Sequence, residues 1–346
     1  RPVLSKNKDK VISGYGIVQP RVSVDIESTN KSIYSQLVAG IGGFDIYSSI
    51  IPNFYQDVFD EGSFVGKGIY DLEVFETVIG EKFPENLILS HDLLEGNYIR
   101  CGFASDIELI DDFPSSFLVD MSRQHRWTRG DIQILGWLKK KIKSKSGFKI
   151  NNPLNGVEKF KIFDNLRRIF IRPALLLLLF LSFFIGNPLA SLLVSVFVVF
   201  LPLFFYLKEI LNIQKKAVSS FKHYDSLSFG TTALISRIFL DMMSLPYVAY
   251  MHLNAMCKSL YRMFISHKKL LNWITAEDAA KTINGKLSTF FKAFKPNYVV
   301  ALILIIIAIF NHNYIYVNAF TRRINYVSVS GTSGQSGGTG KVCGNI

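Results

Sequence analysis

"LILSHDLLEG" (87–96) reads as an apolar strand that runs straight into a helix. Leu87, Ile88 and Leu89 lead into Ser90, His91 and Asp92, and Leu93 and Leu94 begin a helical turn. Carboxylates at the carboxyl end of a strand sit where α/β folds build their sites, which makes Asp92 a candidate reactive group. The same residues also suit helix capping, with Ser90 or Asp92 accepting backbone N–H groups. The local pattern leaves both readings open. Further β-type runs at Ile17-Val18 and Val22–Val24 alternate with polar turns and helical stretches, so residues 1–155 read as an α/β region. Within it, a Gly-rich turn from Gly62 to Gly68 precedes a helix expected from Asp71, with Leu72, Phe75 and Val78 on its inner face. The run "KKKIKSKSGFK" (139–149) reads as a basic linker.

Downstream of that linker the chain changes character. Its 346 residues carry a net charge of +12, 49% hydrophobic residues and a mean hydropathy of +0.24. That hydropathy is too high for an ordinary soluble domain and points to a membrane protein with soluble parts. Basic residues close to apolar runs are a topology signal. No aromatic-basic module supports nucleic-acid binding. From Ile169 to Leu207 the only charge is Arg172. This run is about twice the roughly 20 residues that one span needs. "GNP" (186–188) divides it into a hairpin with spans at about 168–186 and 188–207. Arg167, Arg168 and Arg172 at one end and Lys208 at the other place both ends on the cytoplasmic side.

The rest of the membrane region, 156–320, is mixed. Ala233–Met256 is apolar but contains Arg237, Asp241, Pro246 and His252, so residues 208–296 are expected to lie as interfacial or re-entrant helices. A third span is expected at about 297–318. Residues 321–346 form a Gly/Ser-rich tail expected to be disordered. Its "GTGK" (338–341) is not a phosphate loop: Gln335 stands where the first glycine belongs, and Val342 replaces the Ser/Thr. Cys101, Cys257 and Cys343 form no paired motif, which fits a reducing cytoplasmic setting. No secretory leader opens the chain, and it reads as an interior piece of a longer protein.

"SRQHRWTRGDIQILGW" (122–137) has two readings. As a helix it places Arg123, Arg126 and Trp127 on one face, with Ile134, Leu135, Leu138 and Ile142 continuing an apolar stripe, as in a helix lying on an anionic membrane surface. The chemistry also suits a sugar nucleotide. Guanidinium groups match diphosphate oxygens, and an indole stacks on a sugar face.

Taken together, a carboxylate some thirty residues before an Arg-x-x-Arg-Trp, followed by membrane helices, resembles the inverting processive glycosyltransferases. "VISGYGIVQPRVSV" (11–24), "EGSFVGKGIYDLEVF" (61–75), "LSHDLLEG" (89–96), "SRQHRWTRGDIQI" (122–134) and "LLNWITAEDA" (270–279) resemble the glycosyltransferase module of cyclic β-1,2-glucan synthases over roughly residues 1–310. The resemblance implies the C-terminal, acceptor-and-base half of a GT-A-like α/β domain, followed by transmembrane and interfacial helices in a bacterial inner membrane, with the catalytic part cytoplasmic. It implies transfer of glucose from UDP-glucose to a β-glucan acceptor, with Asp92 as base. Arg123 and Arg126 are expected on the diphosphate side and Trp127 at the acceptor sugar. Gln19, Arg21 and Lys67 are expected to line the substrate side; a structural role is equally open for them. His91 and Glu95 are expected nearby, with Glu95 the alternative base. The implied Mg2+ or Mn2+ would be held by an Asp-x-Asp upstream of Arg1, so this chain alone is expected to carry no metal ligands and to be inactive without the upstream and downstream modules. Membrane lipid is a further expected partner. Two alternatives remain: a synthase of another β-glucan or exopolysaccharide, and a non-catalytic membrane scaffold.

Overall fold

A computed structural model describes residues 1–39, 54–80, 82–84, 86–182, 189–190, 192–197, 200, 220–283, 286–307 and 309–310. Most of the expected second span (188–207), the end of the third (311–318), the 321–346 tail and Cys343 lie outside the described residues.

The described part is mixed α/β. A hairpin of β1 (Val3–Leu4) and β2 (Val11–Ser13) leads to β3 (Ile17–Val24), the middle strand of a three-stranded sheet. β4 (Ile69–Tyr70) pairs antiparallel with the start of β3, and β5 (Cys101–Asp111) runs parallel to it over its whole length. A proline in a strand gives no N–H to the ladder. Accordingly, the register breaks after Pro20: one step on β3, from Pro20 to Arg21, spans Ala104 to Glu108 on β5. Between β3 and β5 the chain passes through α1 (Ile26–Asn30), α2 (Ile33–Val38), α3 (Phe54–Phe59), α4 (Leu72–Ile79) and α5 (Asp92–Ile99).

Asp71 caps α4, accepting the Val74 N–H, so the helix starts where the sequence placed it. Of its expected inner face, Val78 is buried and Phe75 packs against the core, beside Val74 and Ile79, whereas Leu72 is 77% exposed. The run Leu87–Leu89 is not a strand. The Leu89 N–H is bonded to Gln133 Oε1 at 2.7 Å, a side chain of a helix rather than a neighbouring strand. Asp92 therefore follows an irregular segment tied to a helix. α5 is buried almost all round through Leu94, Asn97, Tyr98 and Ile99. An added Cβ at Gly96 would stand 2.6 Å from Phe64 Cβ, so only glycine lets α5 lie directly on the 61–68 loop.

α6 (Phe117–Gln133) ends earlier than the apolar stripe suggests. Ile134–Leu138 tighten into a 3-10 turn, and Ile142 belongs to β6 (Lys141–Lys143), which pairs with β7 (Lys149–Asn151). Ile134, Trp137 and Ile142 are in the hydrophobic core with Leu94, Tyr98 and Ile162. The stripe packs inward, and the basic "linker" is a hairpin whose Lys-Ile-Lys alternation buries Ile142 and exposes both lysines.

α7 (Gly156–Ser182) begins in the α/β core and leaves it. Its first turns bury Glu158, Lys161 and Ile162, while Leu177, Leu178 and Leu181 further along are exposed. Glu158 pairs with Lys10, and Lys161 reaches Glu61 Oε1 and the Gly62 carbonyl, both at 2.9 Å. α8 (Ser220–Tyr261) is one continuous 42-residue helix that packs on α6 and α7. Arg172 of α7 bridges Asp241 of α8 at 3.0 Å. Among the described residues no single helix is long and apolar enough to cross a membrane; Leu287–Ala293 and 295–307 form a pair bent by 52° that passes together.

Removing one partner of a buried ion pair strands the other charge. Lys161→Met is expected to cost about 3 kcal/mol, and adding Glu61→Gln should restore part of it, as read from unfolding of the single and double variants.

Candidate active site

The site is assembled from the 61–68 loop, the start of α5 and one face of α6. Gln19 is 1% exposed on β3. Its side chain accepts the Val65 N–H at 2.7 Å and donates to the Ser63 carbonyl at 3.3 Å, pinning the loop to the sheet. The loop turns at Gly66 with φ +90°, a conformation that side chains disfavour. An added Cβ there would meet the Asp92 carboxylate at 3.0 Å, so the acid rests directly on the loop. Ser90 Oγ donates to Asp92 Oδ2 at 2.9 Å and fixes the carboxylate's rotation. Asp92 is the first residue of α5, where the helix dipole favours an anion.

α6 supplies the opposite wall. Arg123 pairs with buried Asp120 at 2.6 Å, and Asp120 also accepts from Gln124 at 2.9 Å and from the Tyr34 hydroxyl at 2.7 Å. The Arg123 guanidinium lies 4.7 Å from the Trp127 ring and 5.1 Å from Phe113. Burial lowers the Arg123 pKa, and Asp120 opposes this by favouring its charge. Arg126 lies 4.4 Å from the ring of Trp273. Burial lowers its pKa as well, while Asp92 favours its charge and Arg123 disfavours it. Lys67, Asp92, Asp111, Arg123, Arg126 and Trp127 line one cavity of about 680 Å3. A space of that size suits a small-molecule substrate. Its walls offer Asp92 at a helix start, four cations in Lys67, Arg123, Arg126 and Arg168, and the Trp127 indole.

No family model matches the chain. It is 33% identical over 312 residues to the cyclic β-(1,2)-glucan synthase NdvB of Rhizobium meliloti (strain 1021). The chain is related to the cyclic β-1,2-glucan synthases. The match covers 89% of this chain and 11% of that protein, so the chain corresponds to a small part of its relative's length.

Of the residues singled out in the sequence, Asp92, Lys67, Arg123, Arg126 and Trp127 share the cavity. The other four lie off its walls. Gln19 is the anchor of the loop. Arg21 is paired with Glu108 at 2.6 Å across β3 and β5. His91 stacks on Phe83 with ring centroids 6.1 Å apart. Glu95 accepts the Tyr70 hydroxyl at 2.9 Å. Four contributors carried weak sequence signals. Asp111 pairs with Lys67 at the cavity wall but belongs to the acidic run 106–112, which follows Asp92 in the chain. Asp120 and Tyr34 act only through Arg123 and its neighbours, which no spacing reveals. Trp273 lies in "LLNWITAEDA", far along the chain, and only the fold brings it to Arg126. Among the described residues no three His, Cys, Asp or Glu side chains gather to hold a metal ion, so the residues present do not fit a metal centre.

Burial raises the Glu95 pKa, opposed by the Tyr70 bond. The folded state therefore binds the Glu95 proton more tightly than the unfolded chain does. The stability this contributes is complete below the ordinary glutamate range and is lost as pH rises through the native pKa. Glu95→Gln keeps an acceptor for Tyr70 without the charge. Its melting temperature should exceed that of the unsubstituted protein at neutral pH and converge with it toward about pH 4; a pH-independent difference contradicts this.

Proposed function

We propose that the chain is the acceptor-and-base part of a glucosyltransferase that moves glucose from UDP-glucose to a growing β-1,2-glucan with inversion, within a longer cyclic β-1,2-glucan synthase of the bacterial inner membrane. The observation that carries this reading is the placement of Asp92, Arg126 and Trp127 on one cavity, in a chain similar to a protein named for that product.

In this mechanism Asp92 takes the proton from the acceptor hydroxyl as its oxygen attacks the anomeric carbon. The bond from that carbon to the UDP oxygen breaks on the opposite face, so one displacement inverts the centre. Arg126 neutralises charge developing on the departing diphosphate. Arg123, held by Asp120, keeps the Trp127 ring in place, and that ring stacks on the terminal sugar. Lys67, paired with Asp111, is a second cation on the phosphate side. The divalent cation that the resemblance implies would be held by residues outside this chain, and no step here is assigned to it. The apolar segments at 168–186, 188–207 and 297–318 are read as spans, with the site on the cytoplasmic side where donor and growing polymer meet.

The test is Asp92→Asn in a full-length synthase carrying this segment, with membrane level and melting temperature as controls. Transfer should fall about 10²–10⁴-fold, the usual worth of a positioned base, at unchanged protein level. Unchanged transfer overturns the assignment. A scaffold role makes the opposite forecast for Arg126→Ala and Trp127→Ala: altered membrane attachment with transfer intact.

A further inference from the structure

A second cavity, of about 630 Å3, lies at the C-terminal end of α6, lined by the β6–β7 hairpin and the turn that follows α8. Its walls differ in kind from those of the first. Trp137, Ile142, Met263, Phe264 and Leu270 make an apolar floor. Lys139, Lys140, Lys141, Lys143 and Lys149 stand around it, and no acidic side chain is among the described lining residues. All five lysines are exposed. Large apolar groups continue out of the cavity onto the surface: Phe264 is 69% and Ile265 68% exposed, and Phe148 at the hairpin tip is 75% exposed. An apolar floor matches a hydrated acidic peptide poorly, and a ring of lysines with no acidic neighbour among the described lining residues attracts an anion and repels a cation. A molecule that is anionic at one end and hydrocarbon at the other satisfies both halves.

We propose that this cavity binds one anionic phospholipid, with its phosphate among the hairpin lysines and acyl chain on Trp137, Ile142 and Phe264. The inference is independent of the sugar-transfer reading. It bears on the first cavity through Gln133, which lines the second. Gln133 donates to the Leu270 carbonyl at 3.2 Å and accepts the Leu89 N–H at 2.7 Å, so the lipid's wall is also the support of the segment that leads into Asp92.

The experiment uses the full chain in neutral detergent, titrated with dioleoyl phosphatidylglycerol or dioleoyl phosphatidylcholine and read by native mass spectrometry. One phosphatidylglycerol should bind per chain, at least about tenfold more tightly than phosphatidylcholine. Lys141→Glu/Lys143→Glu/Lys149→Glu should abolish that preference. Lys6→Glu/Lys8→Glu/Lys31→Glu, with the same change in net charge at other exposed positions, should keep it. Phe264→Ser should weaken the long-chain lipid several-fold. Equal loss in both triple variants, no preference in the unsubstituted chain, or full displacement by a polyglutamate peptide overturns the proposal. If the hairpin triple variant fails to fold by melting temperature, Lys139→Glu/Lys140→Glu, just before the strand, carries the same forecast.

Discussion

The site depends on one close contact between backbones: the 61–68 loop lies directly on α5. Gly96 lets Phe64 sit against the helix, and Gly66 lets the Asp92 carboxylate rest on the loop. Gln19 holds the other side of that loop to β3 with two hydrogen bonds. The carboxylate is thus positioned by the sheet through the loop, and its rotation is set by Ser90. A carboxylate fixed at both ends in this way is better placed to serve as a base than one on a free surface turn.

α6 organises the molecule from the other direction. One face carries Arg123, Arg126 and Trp127 to the cavity. The other is held by buried Arg129, which donates to the carbonyls of Leu270 and Asn272, bringing Trp273 over Arg126. Its last residue, Gln133, ties both the Leu89 and Leu270 segments to the same point. The helix therefore fixes the relation between the acid, the cations and a segment about 140 residues away in sequence.

Much of this was readable from the chain where the signal was local. The β-type runs of β3, the helix start at Asp71, the helical spacing of Arg123, Arg126 and Trp127, and the resemblance of five motifs to the glucan synthases all rest on neighbouring residues. The features that the sequence hides depend on tertiary partners. Leu87–Leu89 has strand-like composition, but its backbone is claimed by Gln133. The lysine run 139–149 hides a period-two alternation that becomes a hairpin only because Ile142 finds the core. The stripe after Trp127 suggested a membrane surface, yet Ile134 and Trp137 turn inward when the helix tightens. Gln19 takes the structural role that the sequence left open, its amide holding the 61–68 loop to β3. Asp120 and Tyr34 lie 86 positions apart in sequence and meet only in the fold.

The most direct measurement of the central claim is the kinetics of Gly66→Ala in a full-length synthase. An added methyl group there presses on the Asp92 carboxylate without removing any polar side chain of the cavity. The account predicts a fall in kcat of at least about tenfold with KM for UDP-glucose within about twofold. An unchanged kcat in a folded variant would contradict it.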